Sequence, residues 1–187
     1  MRDITVARNY AEALLDVAER QEGIVAFGEG LDVVARLLEE NPSFRNFLDT
    51  PRITGGEKKE VVRSVFGARL PATLINFVLV TLDRRRQRLL RTISYEYQTL
   101  LDARLNRERV EVTVAREMDP ASVDQLQDRL TALLGRQALA RIRVKPGIIG
   151  GVIVRAGDTI YDGSLRRRLD GMRRGLLTTR LPGERAS

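Results

Sequence analysis

Few residues in this chain are equipped for chemistry. Histidine and cysteine are both absent from its 187 residues, which removes the commonest general base, the commonest metal ligand, thiolate nucleophiles and disulfides. Ser164 follows Asp162-Gly163, but no base is available to take its proton, and the tripeptide is a good helix start. Acid pairs such as Glu39-Glu40 lack a third ligand at metal spacing. The run Gly147-Ile-Ile-Gly150-Gly151 fits neither the phosphate-cradling nor the dinucleotide-binding glycine pattern. Gly147 and Gly150 have the G-x-x-G spacing of an RNA-binding clamp, yet the middle residues are isoleucines and a strand follows directly. A tight turn entering a buried strand is the plainer reading. The sequence therefore predicts no catalytic residue, no metal site, no cofactor and no small-molecule substrate.

What remains is charge. Charged residues make up 30% of the chain, the net charge is +7, and all but Lys58, Lys59 and Lys145 of the 32 basic residues are arginine. Residues 1–105 are nearly balanced, with 16 basic against 15 acidic side chains, whereas residues 106–187 carry 16 against 10. Arginine suits planar, two-pronged pairing with carboxylate or phosphate. The second half thus predicts an anionic partner, whether an acidic protein surface, a nucleic acid or a lipid headgroup layer. Tryptophan is absent and aromatics are 5%, so a stacking platform for single-stranded nucleic acid is poorly supplied. The opening M-R-D-I-T-V-A-R-N-Y is charged, unlike a signal peptide, and the most apolar stretch, Leu74 to Leu82, is too short to span a bilayer. A cytosol-like compartment is expected.

The elements that must carry this charge fall into two sets. Residues 3–105 predict six helices: Asp3–Arg20, Ile24–Glu40, a short turn Ser43–Leu48, Gly55–Phe66 behind the capping box Thr54-Gly-Gly-Glu57, one opened by Pro71 and ending near Arg84, and a long one from Arg86 to Leu105. Near Asn106 the period changes. Val110, Val112 and Val114 alternate with polar residues, Asp119-Pro120 opens a helix that Gly135 closes, and Ala140, Ile142 and Val144 alternate with Arg141, Arg143 and Lys145. Two more strands, Val152–Arg155 and Thr159–Tyr161, meet at Gly157-Asp158. A last helix follows Ser164 with Leu165, Leu169, Met172 and Leu176 on one side and Arg166-Arg167-Arg168 on the other. The tail from Leu181 to Ser187 reads as frayed. The fold class is α+β in two domains: a six-helix bundle over 1–105 and a small α/β domain with a short sheet and two helices over 106–187.

Two helices have more apolar surface than one core requires. On the first, Ile4, Ala7, Ala11, Leu14 and Ala18 form one stripe and Val6, Tyr10, Ala13 and Val17 a second beside it, leaving Arg8, Glu12, Asp16 and Glu19 for solvent. The second stripe either packs on a neighbour within the bundle or lines a groove for a helix of another chain. The helix after Pro71 is apolar on every side, with Leu74, Ile75, Phe77, Val78, Leu79, Val80 and Leu82.

Three stretches carry a family resemblance: V-A-R-N-Y-A-E-A-L-L at 6–15, I-N-F at 75–77, and above all I-G-G-V-I-V-R-A-G-D-T-I-Y-D-G-S-L-R-R-R-L at 149–169. The sequence resembles the delta subunits of F-type ATP synthases, whose mitochondrial counterpart is the oligomycin-sensitivity-conferring protein. It departs from them at Lys145, where an acid is common, at Arg167, where glycine is common, and at D-R-R-R (83–86), where E-N-G-R is usual. The resemblance implies a non-catalytic connector between the catalytic head and the peripheral stalk, one copy per complex, attached to the membrane only through that complex and, in a bacterium, at its cytoplasmic face. It implies that the groove between the first and fifth helices, here Val6, Tyr10, Ala13, Val17, Ile75, Leu79 and Leu82, takes the N-terminal helix of an alpha subunit. It implies that the second domain meets the C-terminal helices of the b subunits, for which Arg166, Arg167, Arg168, Arg173 and Arg174 are the suited residues. Gly150, Gly151, Gly157, Asp162 and Gly163 are the structural positions of the long motif. The alternative, from the residues alone, is a basic RNA- or ribosome-associated adaptor.

Overall fold

A computed structural model describes residues 2–21 and 23–178, with the backbone alone at residue 2 and at 175–178. The tail 181–187 and the side chain of Leu176 lie outside the described residues. The chain divides into two compact units, Met1–Leu105 and Asn106–Ser187.

Unit one is helical: α1 (Arg2–Arg20), α2 (Ile24–Glu40), α3 (Pro42–Asp49), α4 (Gly55–Phe66), α5 (Ala72–Asp83) and α6 (Leu90–Arg104). Side-chain caps start α3 and α4. The Asn41 side chain accepts from the Phe44 N–H ahead of Pro42, and Thr54 and Glu57 cap each other's backbone at α4. Two boundaries differ from the sequence reading. Pro71 stands outside α5 with an extended ψ of 139°, as its capping residue. The long last helix is broken: Arg85 takes a φ of 55°, a single 3-10 turn spans Gln87–Leu89, and α6 starts at Leu90. That reversal falls where the related run E-N-G-R has its glycine.

Two apolar clusters hold the bundle. In the first, Ala7, Ala11, Leu14 and Ala18 of α1 pack with Phe27 and Leu31 of α2 and Ile93, Tyr97 and Leu101 of α6. Tyr97 is fully buried, its hydroxyl donates to the Ile24 carbonyl at 2.9 Å, and burial, helped by Glu19, pushes its pKa up to about 12. In the second cluster Val34 and Leu38 of α2, Leu48 of α3 and Val62 and Phe66 of α4 enclose Ile75, Val78, Leu79 and Leu82 of α5.

Unit two comprises β1 (Arg107–Val114), α7 (Pro120–Leu134), β2 (Gln137–Val144), β3 (Val152–Ala156), β4 (Thr159–Asp162) and α8 (Leu165–Thr178). The sheet order is β2-β1-β3-β4, parallel between β1 and β2 and antiparallel elsewhere. The parallel pair needs a crossover, which α7 provides. The register puts Val110, Val112 and Val114 level with Ala140, Ile142, Val152 and Val154 on one face, against Leu126, Leu130 and Leu134 of α7. The other face is polar, with Glu111 and Arg143 paired at 3.0 Å. This is the α+β class that the sequence predicts.

The caps generate a prediction. Hydrogen bonds from Thr54 hold the Glu57 carboxyl below its ordinary range, and those from Ser122 and Ser164 do the same for Asp119 and Asp162. The unfolded chain therefore takes up protons at these sites before the folded one does, so stability is full above the ordinary carboxylate range and falls as the pH drops through it. Melting midpoints should decline from about pH 5 toward about pH 3, less steeply in Glu57→Gln and Asp119→Asn. Thr54→Ala should cost about 1 kcal/mol in denaturant unfolding at neutral pH.

Candidate docking surfaces

On α1 the inner stripe is buried from Ala7 to Ala18, and the second stripe faces outward: Val6 and Tyr10 are half-buried, and Ala13 and Val17 are exposed. Ile4, read as part of the inner stripe, is also exposed. The Glu19–Arg104 ion pair joins the last turns of α1 and α6 at 3.2 Å.

The fifth-helix residues require a correction. Ile75, Leu79 and Leu82, assigned to the groove, are only 8%, 6% and 8% exposed and belong to the second core cluster. The outward face of α5 is instead Asn76 and Val80, bordered by half-buried Thr73 and Phe77. At ~100° per residue Ile75, Leu79 and Leu82 centre about 110° from Asn76 and Val80 on the helix. The outward set still carries Val80 and Phe77, and the packing of α2 and α4 hides the wholly apolar Ile75, Leu79 and Leu82.

Tyr10 joins the two outward faces. Its ring meets Phe77 edge-on with centroids 6.1 Å apart. Arg86 donates from Nη1 to the Tyr10 hydroxyl at 3.1 Å, its guanidinium 5.4 Å over the ring. Farther along, Gln21 donates from Nε2 to Thr73 Oγ1 at 3.2 Å. The result is an apolar strip held in place by polar stitches from α1 to α5 and the turn after it. Arg86, Asn76, Val80 and Phe77 were missed as a set. The available signal was the apolar surplus on α5 itself, since a bundle this small cannot cover a helix on every side.

In unit two all five arginines from Arg166 to Arg174 are exposed. Arg166, Arg167 and Arg174, with Lys145, Asp162 and Asp170, rim a pocket of about 320 Å³ floored by Ile148 and Ile153. The Arg167 backbone N–H donates to Ser164 Oγ at 3.2 Å and its Nη1 to the Asp162 carbonyl at 3.5 Å. Arg168 and Arg173 lie outside this pocket. Asp162 Oδ1 accepts from the Ser164 N–H at 2.9 Å, the Gly163 N–H donates to the Val152 carbonyl and the Leu165 N–H to that of Gly150. Gly157 turns β3 into β4 with a φ of 55°.

Ser164 Oγ is occupied as this cap, the role expected of it. Among the described residues no group of three His, Cys, Asp or Glu side chains can hold a metal ion. Among them, too, no helix is long and apolar enough to cross a membrane.

A family model described as ATP synthase delta (OSCP) subunit matches residues 6–176. The "ATP synthase subunit delta" of Gemmatimonas aurantiaca is 38% identical over 182 residues, covering 97% of this chain and 96% of its own. That of Desulforudis audaxviator is 36% identical over 176 residues, covering 94% and 97%. A chain in the mitochondrial ATP synthase hexamer of Toxoplasma gondii shares the fold with a TM-score of 0.66 at 19% identity, over 93% of this chain and 98% of that one.

Gly151 is the position least able to change. It holds a φ of 79°, and a Cβ there would sit 2.4 Å from the Gly163 carbonyl oxygen. Gly151→Ala should destabilise unit two by about 2 kcal/mol or more, whereas Gly147→Ala, which meets open space, should stay within about 0.5 kcal/mol in the same denaturant titration.

Proposed function

The chain belongs to the ATP synthase delta (OSCP) family, a structural and non-catalytic subunit of the peripheral stalk, and on that premise we propose that it ties the catalytic head to the stalk through one docking surface on each unit. On unit one the strip of Val6, Tyr10, Ala13, Val17, Asn76, Phe77 and Val80 takes the N-terminal helix of an alpha subunit. On unit two the arginines of α8 take the highly charged C-terminal helices of the b subunits. One copy serves each complex, and in a bacterium it works at the cytoplasmic face of the membrane.

The observation that supports this reading is the second apolar stripe of α1, partly exposed beside Phe77 and Val80 of α5. An amphipathic helix laid there would cover residues that the bundle does not cover itself. The mechanism is mechanical. Rotation of the central stalk puts torque on the head, and proton flux drives ATP synthesis only while the head is held still. No residue need transfer a proton or a group; each contact need only outlast a turnover. Two contacts on one chain help, because once the first has formed the second is effectively intramolecular.

Calorimetric titration of the full chain with a peptide of the alpha-subunit N-terminal helix tests the strip. Saturable binding with a negative heat-capacity change is expected, weakened about tenfold or more in Tyr10→Asp, Val6→Asp and Val80→Asp with little change in melting midpoint. Leu79→Asp should unfold the unit instead. Absence of binding by the folded wild type would overturn the strip as the head contact, and unfolding of Tyr10→Asp would make its stripe part of the core.

A further inference from the structure

The pocket of about 320 Å³ in unit two gathers charge from two separate stretches: Lys145 follows β2, and Arg166, Arg167 and Arg174 come from α8. These four cations meet two acids, Asp162 and Asp170, so the lining carries a net charge of +2. One of the acids is already engaged, since Asp162 Oδ1 accepts the Ser164 N–H at 2.9 Å. Each guanidinium is positioned by a backbone carbonyl. Arg166 Nη1 donates to that of Gly147 at 3.4 Å, Arg167 Nη1 to that of Asp162 at 3.5 Å and Arg174 Nε to that of Asp170 at 3.3 Å. A guanidinium has five N–H groups, so Arg166 and Arg167 have others to turn toward an anion. The floor is apolar, with Ile148 buried and Ile153 half-buried. A single 3-10 turn, Pro146–Ile148, carries Ile148 inward, and Ile149 after it takes a φ of 68°. That conformation is costly for a β-branched residue, and strain of this kind collects at ligand clamps. Lys145 and Arg167, the two positions at which this unit departs from the related pattern, both line the pocket.

We propose that this pocket binds a small phosphomonoester, its dianionic phosphate held by Lys145, Arg166, Arg167 and Arg174 and its uncharged part laid on Ile148 and Ile153. Charge and shape select the ligand. A dianion neutralises the lining, whereas a lone carboxylate leaves one positive charge over. The three terminal oxygens of a phosphate also give each guanidinium an acceptor of its own. Ligand sites run from about 300 to 1,000 Å³, so this volume suits a phosphorylated fragment rather than a dinucleotide. The site does not depend on the N-terminus of α8, where the Leu165 N–H is donated to the Gly150 carbonyl and the Arg167 N–H to Ser164 Oγ. Arg168 and Arg173 lie outside the pocket and stay available to a partner chain.

NMR titration of the isotope-labelled full chain at constant ionic strength tests the site, with phenyl phosphate, inorganic phosphate and phenylacetate as probes. Phenyl phosphate should saturate with a Kd of about 1 mM or tighter, and the shifts should be largest at the amides of Gly147, Ile148 and Arg167. Inorganic phosphate, which leaves the floor uncovered, should bind about threefold or more weakly, and phenylacetate about tenfold or more weakly. Lys145→Gln/Arg167→Gln alters two exposed side chains and should cost phenyl phosphate about tenfold or more in affinity with the melting midpoint unchanged. Arg168→Gln/Arg173→Gln removes the same charge outside the pocket and should bind as the wild type does. Equal losses in the two variants would overturn the site in favour of the general positive field of the unit. Failure of both phosphate probes to saturate the wild type by about 10 mM would overturn it outright. Phenylacetate binding as tightly as phenyl phosphate would overturn the choice of a phosphate. Inorganic phosphate binding as tightly as the ester would overturn the role of the isoleucine floor and make the free anion the ligand.

Discussion

The close seating of α1 on α6 through alanines is the contact on which the first unit's surface depends. Ala7, Ala11 and Ala18 are fully buried and flank Leu14 on the inner stripe. Small side chains let two helix backbones approach, so a narrow stripe is enough to anchor the helix. The remaining apolar residues of α1 are then surplus and emerge at the surface. Had the inner stripe been built from larger residues, Val6 and Tyr10 would have been drawn further into the core to fill the added separation. Tyr97, buried and bonded to the Ile24 carbonyl, secures the other side of α6 against α2. With these three helices fixed, Tyr10 can be held by Phe77 and Arg86 in one orientation at the surface.

In the second unit the comparable constraint is the sheet's one-sidedness. α7 packs on the valine face of β1 and β3, and α8 lies by the opposite, mostly polar face, around the pocket lined by Ile148 and Ile153. The Gly150–Gly151 turn and the Asp162–Ser164 cap hold the start of that helix firmly by backbone hydrogen bonds. An amphipathic helix thus anchored at one end, with Leu165, Leu169 and Met172 exposed, is suited to meeting another chain. Both units follow the same logic: each satisfies its own core with a minimum of apolar residues and leaves an apolar ridge with arginine beside it. A structural subunit without catalytic residues of its own has only such surfaces to work with.

The one-dimensional pattern determined a good deal. The absence of histidine and cysteine excluded most catalysis, the change of hydrophobic period near Asn106 marked the passage from helices to strands, and caps such as Thr54–Glu57 and Asp119–Ser122 placed helix starts, because these depend on residues within a few positions of one another. The second stripe of α1 was also legible, since its solvent face is marked by Arg8, Glu12, Asp16 and Glu19. Only tertiary structure decided the rest. On α5 apolar residues lie on both sides, and which are hidden depends on α2 and α4, so Ile75, Leu79 and Leu82 went inward and Asn76 and Val80 outward. On α8 the periodicity gives an apolar side but not its direction. A helix carries no record of which side its neighbours fill, because burial belongs to pairs of elements distant in sequence and periodicity belongs to one element alone.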